Sequence, residues 1–236
     1  MKNLHLKIKY LHHSGFVVET AQHLLVFDYC QGTVDLNDKK TYVLASHVHP
    51  DHYNPEIFAW RRKRSRVQYI LSYDIGRDPA VGRVGDSITF MHPDQEKWVD
   101  DLKVKAYTST DEGVAFLVQC EGINIFHAGD LNWWSWPGDI PEEIEKAEIW
   151  FKTEIARIKG EQIDVAFFPV DPRLEYNYGL GAEYFINEIK PRYLIPMHFW
   201  DDYQLLRSFQ DRMQGSFTKV IGLTHRGQEI ELVLNL

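Results

Sequence analysis

Apolar and polar residues alternate along the opening segment of the chain, where Leu4, Leu6, Ile8 and Tyr10 are separated by polar positions. A period of two is that of a half-buried strand. Similar signals predict strands near 4–10, 14–20, 23–28, 42–46, 67–72, 86–90, 102–108, 114–120, 122–127, 163–168, 192–197, 218–222 and 228–234. Helical patterns appear near 141–159, 182–189 and 201–213. The chain is therefore predicted to contain two β-rich halves, each with helices.

The densest group of candidate ligands follows the fourth predicted strand. His47, His49, Asp51 and His52 lie within six residues. Side chains two apart share a face of a strand, so His47 and His49 should point the same way. Pro50 ends the ladder, and the turn can bring Asp51 and His52 back toward that point. Histidine pairs also occur by chance, but imidazole and carboxylate at this density favour a site for Zn²⁺ or a similar metal.

A helix start follows this motif directly. Asn54 is the expected cap, Pro55 takes the first helical position, and Glu56 places an acid in the first turn. The order is strand, ligand-bearing loop, helix. We therefore expect the ligands to be held on a rigid scaffold.

Three further stretches complete a family resemblance. His-x-His-x-Asp-His after a strand resembles the signature of the metallo-β-lactamase-fold hydrolases. Residues 123–130 resemble that family's apolar strand ending in Gly-Asp, and residues 193–198 resemble its late strand ending in the last histidine ligand. Residues 13–18 followed by 24–28 resemble its opening hairpin. The motifs are in the family's order, and the chain is most similar to the branch of ascorbate-phosphate lactonase-like proteins.

The resemblance implies both a fold and a set of ligands. The implied fold is α+β, a four-layer αβ/βα sandwich of the metallo-β-lactamase type, formed by one domain over residues 1–236. Asp130 is implied as a carboxylate that bridges two metals. Asp51 is implied as a ligand that also orients the attacking water, and both carboxylates are predicted to be catalytic. The implied metal ligands are His47, His49, Asp51, His52, Asp130 and His198.

One loop departs from the family pattern. The family usually supplies a third histidine to the first metal, whereas residues 107–113 contain none. Asp111 could substitute as an oxygen ligand, a water could fill the position, or the first site could be weak. The second site that the resemblance implies, with Asp51, His52, Asp130 and His198, has all of its residues. We therefore expect one firmly bound Zn²⁺ and a possible second ion, with Mn or Fe as alternatives.

Aromatic residues beside the ligands are candidates for substrate binding. Trp133 and Trp134 follow the Gly-Asp motif, and Trp200 follows His198. They could form an aromatic wall over the metals, or they could cover the core under a long loop. Arg173 could bind a phosphate or carboxylate, although a structural ion pair is the more common role for such a residue.

The remaining histidines are predicted mostly to be structural. His5, His23 and His92 have the context of surface residues. His12 and His13 lie near a strand end that the resemblance puts close to the site, and one of them could approach the metals.

Composition limits the class of protein and of partner. The 236 residues are 44% hydrophobic and 25% charged, which is typical of a globular protein. Cys30 and Cys120 form no Cys-x-x-Cys pair, and the opening residues do not resemble a signal peptide, so a reduced cytoplasmic protein is expected. A net charge of −8 makes nucleic acid an unexpected partner. No membrane association is expected, and the oligomeric state is left open.

The ligand set leads to a predicted reaction. A bound metal lowers the pKa of water, and the resulting hydroxide would attack a small ester, lactone or phosphodiester. An anionic substrate is one option. The first alternative is an RNA or nucleotide phosphodiesterase. A non-catalytic metal-binding protein with a weakened first site is the second. A di-iron redox enzyme is disfavoured. The di-iron branch that shares the implied fold typically carries Glu where this chain has His49.

Overall fold

The strands among the described residues form two seven-stranded mixed sheets. The computed structural model describes residues 3–63, 66–83 and 85–235. The chain folds into two units, the first comprising Met1–His92 with His225–Leu236 and the second Pro93–Thr224. The prediction of a single domain over 1–236 stays a prediction.

The sheet of the first unit brings two loops to one edge. Its order is β14-β1-β2-β3-β4-β5-β6. The strands are β1 (Asn3–His12), β2 (Gly15–Glu19), β3 (His23–Phe27), β4 (Lys40–Ala45), β5 (Val67–Ser72), β6 (Ile88–Met91) and β14 (Glu229–Asn235). Strands β3 to β6 run parallel. The loops after β3 and β4 therefore leave the sheet at the same edge, because adjacent parallel strands end on the same side.

The second sheet repeats this arrangement in the second unit. Its order is β13-β12-β11-β10-β9-β8-β7. The strands are β7 (Glu96–Val99), β8 (Leu102–Thr108), β9 (Val114–Cys120), β10 (Ile123–His127), β11 (Val165–Pro169), β12 (Tyr193–Met197) and β13 (Lys219–Val220). Strands β10 to β13 run parallel. The segments after β10, β11 and β12 consequently share one sheet edge.

Four α-helices occur among the described residues: α1 (Trp60–Lys63), α2 (Pro141–Ile158), α3 (Leu180–Ile189) and α4 (Tyr203–Arg212). On α2, Phe151, Ile155 and Ile158 are buried with a helical period. Phe185 of α3 stacks on Phe168 of β11 with ring centroids 4.5 Å apart. These apolar side chains form part of the core of the second unit. None of the helices within the described ranges is long and apolar enough to cross a membrane.

Two elements differ from the sequence prediction. The helix expected at Pro55 begins as a 3₁₀ turn, Pro55–Ala59, and only α1 is α-helical. Its predicted cap is present, since Asn54 accepts a hydrogen bond from the Glu56 amide at 2.9 Å. Strand β7 was not predicted. Its sequence is short and half charged, and Trp98 is 66% exposed, so the strand carries no buried apolar pattern of its own.

Candidate metal centre

The motif after β4 forms a compact group of imidazoles in the first unit. His47, His49 and Asp51 each present a ligand atom within 4.8 Å of the others. The rings of His47 and His49 lie 4.7 Å apart, and those of His47 and His52 lie 4.1 Å apart. His47 and His52 are fully buried. The first unit thus brings together all four residues that the sequence singled out in this motif.

A tight turn folds the motif back on itself. The amides of His52 and Tyr53 both donate to the His49 carbonyl, at 3.0 and 2.9 Å. Two donors on one carbonyl reverse the chain just after Pro50. This turn brings Asp51 and His52 toward the residues that end the strand.

Asp28 fixes the orientation of His52. Its carboxylate accepts from the Ser46 amide at 2.7 Å and from the Ser46 hydroxyl at 2.6 Å, and it lies 2.7 Å from Nδ1 of His52. A carboxylate on one ring nitrogen sets the tautomer that leaves the other nitrogen for a metal. Sequence reasoning placed Asp28 only in the opening hairpin. The parallel pairing of β3 with β4 is what brings it to His52, and that pairing was not predicted.

The second unit contains a matching arrangement. Asp130 follows β10 and His198 follows β12, and Nε2 of His198 lies 3.5 Å from Oδ1 of Asp130. Nδ1 of His198 lies 2.9 Å from Oδ2 of Asp171. Asp171 follows β11, between the other two strands, and is fully buried. Its role was missed in the sequence, where only its neighbour Arg173 was considered.

The two kinds of distance have different meanings. Separations of 2.7 and 2.9 Å from His52 to Asp28 and from His198 to Asp171 are those of charge-assisted hydrogen bonds. The 3.5 Å between His198 and Asp130 is longer. Two donors bound tetrahedrally at about 2.0–2.1 Å from one zinc ion lie roughly 3.3–3.4 Å apart. The distance between Nε2 of His198 and Oδ1 of Asp130 is therefore close to that between two ligands of one metal.

Neighbouring charges shift the pKa values of Asp171 and His198 in the second unit. Burial alone would raise the pKa of Asp171, but hydrogen bonds from His198 and Arg173 outweigh it and lower that pKa. Burial alone would lower the pKa of His198, but the carboxylates of Asp130 and Asp171 outweigh it and raise that pKa, against an opposing effect of Arg173. The carboxylates of Asp130 and Asp171 thus favour positive charge at the His198 imidazole.

Five of the ten described non-glycine residues with left-handed backbone lie at or near the candidate ligands and their partners, and the other five, such as Asp94 and Lys190, lie elsewhere. His13 has a φ of 53°, Asp28 of 43°, His198 of 62°, Trp200 of 51° and Asp201 of 61°. Each such conformation costs a non-glycine residue about 1–3 kcal/mol and persists where surrounding structure enforces it. Such residues cluster at functional sites.

Trp134 and Trp200 flank the Asp130–His198 pair. Trp134 donates from Nε1 to the Asp130 carbonyl at 3.0 Å, and its ring stands edge-on to His198 at 5.7 Å. The ring centroids of Trp200 and His198 lie 6.0 Å apart, and Trp200 is 49% exposed. Both rings thus lie beside His198, and a substrate-binding role for them stays a prediction.

Trp133 is placed differently from the substrate-binding prediction. It is 8% exposed, stacks on Phe151 at 5.9 Å and has the Lys152 ammonium 4.8 Å from its ring centroid. A ring that packs on a core residue of α2 has the alternative role considered in the sequence, that of covering the core.

Arg173 forms the ion pair that was the alternative to substrate binding. Its Nε lies 3.0 Å from each oxygen of Asp171, and one terminal nitrogen donates to Oδ2 at 2.6 Å. The guanidinium carbon lies 4.9 Å from the Trp200 ring centroid and 5.3 Å from that of Trp136. Its side chain is still 45% exposed, so a substrate role for Arg173 stays a prediction.

The loop that lacks the family's third histidine contributes no clustered ligand. Asp111 is exposed, and within the described ranges it belongs to no group of three or more His, Cys, Asp or Glu residues with converging ligand atoms. The loop instead uses Thr110, whose hydroxyl donates to the Asn132 carbonyl at 2.6 Å and accepts from the Asn132 amide at 2.9 Å. Asp111 as a ligand stays a prediction.

Two of the three predicted surface histidines are exposed. These are His5 and His92. The prediction for His23 was wrong, since it is 3% exposed, and its ring lies 5.8 Å from that of Tyr42. His23 begins β3 and is buried, as is Tyr42 in the neighbouring strand β4.

Residues 7–198 match the family described as "Beta-lactamase superfamily domain". The chain belongs to the metallo-β-lactamase-fold hydrolase superfamily. It is 23% identical to a UPF0173 metal-dependent hydrolase of Pyrococcus furiosus, over 96% of this chain and 100% of that protein. The sequence resemblance to the superfamily is therefore confirmed. Placement in the lactonase-like branch stays a prediction.

Solved structures confirm the predicted type of fold. Igni18, a metallo hydrolase from Ignicoccus hospitalis, matches with a TM-score of 0.68 at 17% identity, covering 98% of this chain and 100% of that one. CmlA, a diiron β-hydroxylase from Streptomyces venezuelae, matches with a TM-score of 0.61 at 14% identity, covering 98% of this chain and 54% of that one. The fold is thus found in proteins described as having different chemistry, so it does not fix the metal or the reaction.

Proposed function

We propose that this protein is a metal-dependent hydrolase that acts on a small ester, lactone or phosphodiester. The observation that carries the proposal is a pair of histidines, His52 and His198, each with Nδ1 held by a buried carboxylate at 2.7 and 2.9 Å. Buried carboxylates that orient imidazoles are the usual outer partners of metal ligands. Family membership supports the same conclusion.

The residues present fit a metal ion. Imidazole and carboxylate donors suit Zn²⁺, and they also accept Mn or Fe. When bound, the metal would supply an activated water and positive charge that stabilises the negative charge developing on the substrate. We propose zinc, with one ion bound firmly and a second possible. The residues proposed to hold metal are His47, His49, Asp51, His52, Asp130 and His198.

The side chains around the ligands have separate parts in the proposed reaction. Asp51 has a 35% exposed side chain, and we assign it the role of orienting the attacking water. Asp130 is buried, and it would hold metal through its carboxylate. Asp28 and Asp171 hold the imidazoles in place. The exposed ring of Trp200 would contact an apolar part of the substrate, and Arg173 would attract an anionic group.

The test is a substrate screen on metal-loaded protein. Chelator-stripped protein is loaded separately with Zn²⁺, Mn²⁺ or Fe²⁺ and assayed with a p-nitrophenyl ester, a γ-lactone and bis(p-nitrophenyl) phosphate. At least one substrate should be hydrolysed, and Asp130→Asn should lower that rate at least about 100-fold because it removes a ligand. Asp101→Asn, at an exposed turn of the second unit, is the matched control.

Two outcomes would overturn the proposal. The first is an equal rate of hydrolysis in Asp130→Asn and Asp101→Asn. The reaction would then not depend on the Asp130 carboxylate. The second is metal binding without hydrolysis of any of the three substrates, which would favour a non-catalytic metal-binding protein.

A further inference from the structure

His13 lies at the tight turn between β1 and β2, outside the ligand motif of the first unit. The pairing of these strands shifts register between Tyr10 and His12. Such an irregularity re-aims the side chains beside it. His13 follows with a φ of 53° and is 3% exposed. The turn therefore directs a histidine into the interior at the end of a strand.

The turn lies close to the strand end that carries Asp28. A Cβ built on Gly15 would lie 3.0 Å from the Asp28 carbonyl oxygen and 3.0 Å from the His12 carbonyl oxygen. A side chain at position 15 would therefore crowd both carbonyl groups, so glycine suits this close approach of the two backbones. Asp28 also orients His52, so the turn with His13 and the imidazole of His52 both lie beside this residue.

His13 contacts the candidate ligands themselves. Its Nε2 lies 3.4 Å from Oδ2 of Asp51, and its ring stands edge-on to His52 with centroids 5.3 Å apart. His13, Asp51 and His52 each present a ligand atom within 4.8 Å of the others. Asp51 thus belongs to two convergent groups in the first unit, one with His47 and His49 and one with His13 and His52.

The spacing between His13 and Asp51 resembles that of two ligands more than that of a hydrogen-bonded pair. In the same unit, His52 and Asp28 lie 2.7 Å apart, the usual distance for a charge-assisted hydrogen bond. His13 and Asp51 are 3.4 Å apart. Donors that share a tetrahedral zinc ion at about 2.0–2.1 Å are separated by roughly 3.3–3.4 Å. The 3.5 Å between His198 and Asp130 falls close to the same range.

We propose that His13 is a further metal ligand, which adds an imidazole to the ion bound by Asp51 and His52. This inference rests on the proposed function, because it assumes that the first unit binds a metal. With His13, the first unit alone presents four imidazoles and a carboxylate. The ligand chemistry remains that of zinc or a similar divalent ion.

The test replaces His13 in two ways. His13→Asn keeps a residue that tolerates the left-handed backbone, and His12→Asn is the matched control one position earlier. His13→Cys offers a thiolate, which gives Co²⁺ an intense near-ultraviolet charge-transfer band when it coordinates. His5→Cys, on the exposed side of β1, is the control for an added cysteine. Unfolding in urea checks that each variant is folded.

Two results are expected from Co²⁺-loaded protein. His13→Cys gains the thiolate band, whereas His5→Cys and the unmodified protein do not. His13→Asn loses Co²⁺ to a competing chelator at about 10–100-fold lower chelator concentration than His12→Asn, because removing a ligand costs at least as much as removing an orienting partner.

Other results separate the inference from the proposed function. If His13→Cys is folded without the band and His13→Asn retains Co²⁺ as well as His12→Asn does, then His13 only pairs with Asp51 and the inference is wrong. His52→Ala is measured beside them. If His52→Ala also leaves Co²⁺ retention and spectrum unchanged, the proposed metal-binding function itself fails.

Discussion

The first and second units hold an imidazole in the same way. In each, an aspartate that follows one parallel strand fixes a histidine that follows the neighbouring strand: Asp28 fixes His52 at 2.7 Å and Asp171 fixes His198 at 2.9 Å. The pairs differ in what surrounds the carboxylate. Asp28 accepts hydrogen bonds from the buried Ser46 as a further partner. Asp171 instead also binds Arg173, which is half-exposed.

This difference has an energetic consequence. Removing Asp28 would leave buried donors that water reaches poorly, so its loss should affect folding strongly. Removing Asp171 would leave the buried His198 without this acceptor, but Arg173 could turn to solvent because its side chain is 45% exposed. The orienting carboxylate of the first unit should therefore act mainly on stability and metal binding together, and that of the second unit mainly on metal binding.

The largest expected effect is that of Asp28→Ala. The variant leaves the Ser46 hydroxyl, the Ser46 amide and His52 without their buried acceptor, which should lower the free energy of unfolding by about 3–5 kcal/mol. Urea denaturation of metal-free protein measures it, with Asp101→Ala at an exposed turn as control. A loss below about 1 kcal/mol would contradict this role of the Asp28 carboxylate.

Asp171→Ala should separate binding from folding. Metal retention against a chelator should fall about 10–100-fold, because His198 loses the partner that sets its orientation. The free energy of unfolding should fall by only about 1–3 kcal/mol. If Asp171→Ala destabilises the metal-free protein as much as Asp28→Ala does, the proposed contrast between the units does not hold.

Arg173→Met tests the surface side of the second unit. The variant keeps an unbranched apolar chain beside Trp136 and Trp200 but removes the charge and the hydrogen bonds to Asp171. We expect a loss of about 1–2 kcal/mol in unfolding free energy. Arg207→Met, on the exposed face of α4, is the matched control and should change stability little. Equal values for the two variants would show that the Arg173 contacts contribute nothing.

The smallest effect concerns a carboxylate away from both imidazole pairs. Burial alone would raise the pKa of Glu161, but hydrogen bonds from Lys105 and Tyr107 outweigh it and lower that pKa. A lowered carboxyl pKa stabilises the folded state above the unfolded value of about 4.3, and this contribution is lost as the pH falls through the folded value.

Glu161→Gln measures this contribution. At pH 7 the variant should be less stable by about 0.5–1 kcal/mol, since the ion pair with Lys105 is partly exposed, and the difference should shrink below about pH 4. Metal retention should not change. A stability difference that is the same at both pH values would contradict the lowered pKa.

The two units also differ in how much of the site their sequence predicted. In the first unit, the ligands lie in one continuous motif, so their convergence follows from strand alternation and a turn after Pro50. In the second unit, Asp130, Asp171 and His198 come from three separate strands, and only the sheet order brings them together. The family resemblance identified Asp130 and His198, but Asp171 was missed because its partner lies 27 residues away.

Strand and helix positions were predictable where apolar periodicity was strong. Helix α2 was expected over 141–159 and occupies Pro141–Ile158, with its proline and acids at the start. The sequence of β7 has no such periodicity, since its residues lie at a sheet edge with Trp98 exposed. His13 shows a third limit. Its burial follows from a register shift between β1 and β2, and no local pattern in the sequence predicts that shift.

Metal content per chain tests the central claim most directly. Protein purified without chelator, and again after reconstitution, is analysed by mass spectrometry beside His47→Ala of the first unit and His198→Ala of the second. The account predicts at least one ion of zinc, manganese or iron per chain, with a lower content in both variants. No bound metal after reconstitution, or a content that neither variant lowers, would contradict it.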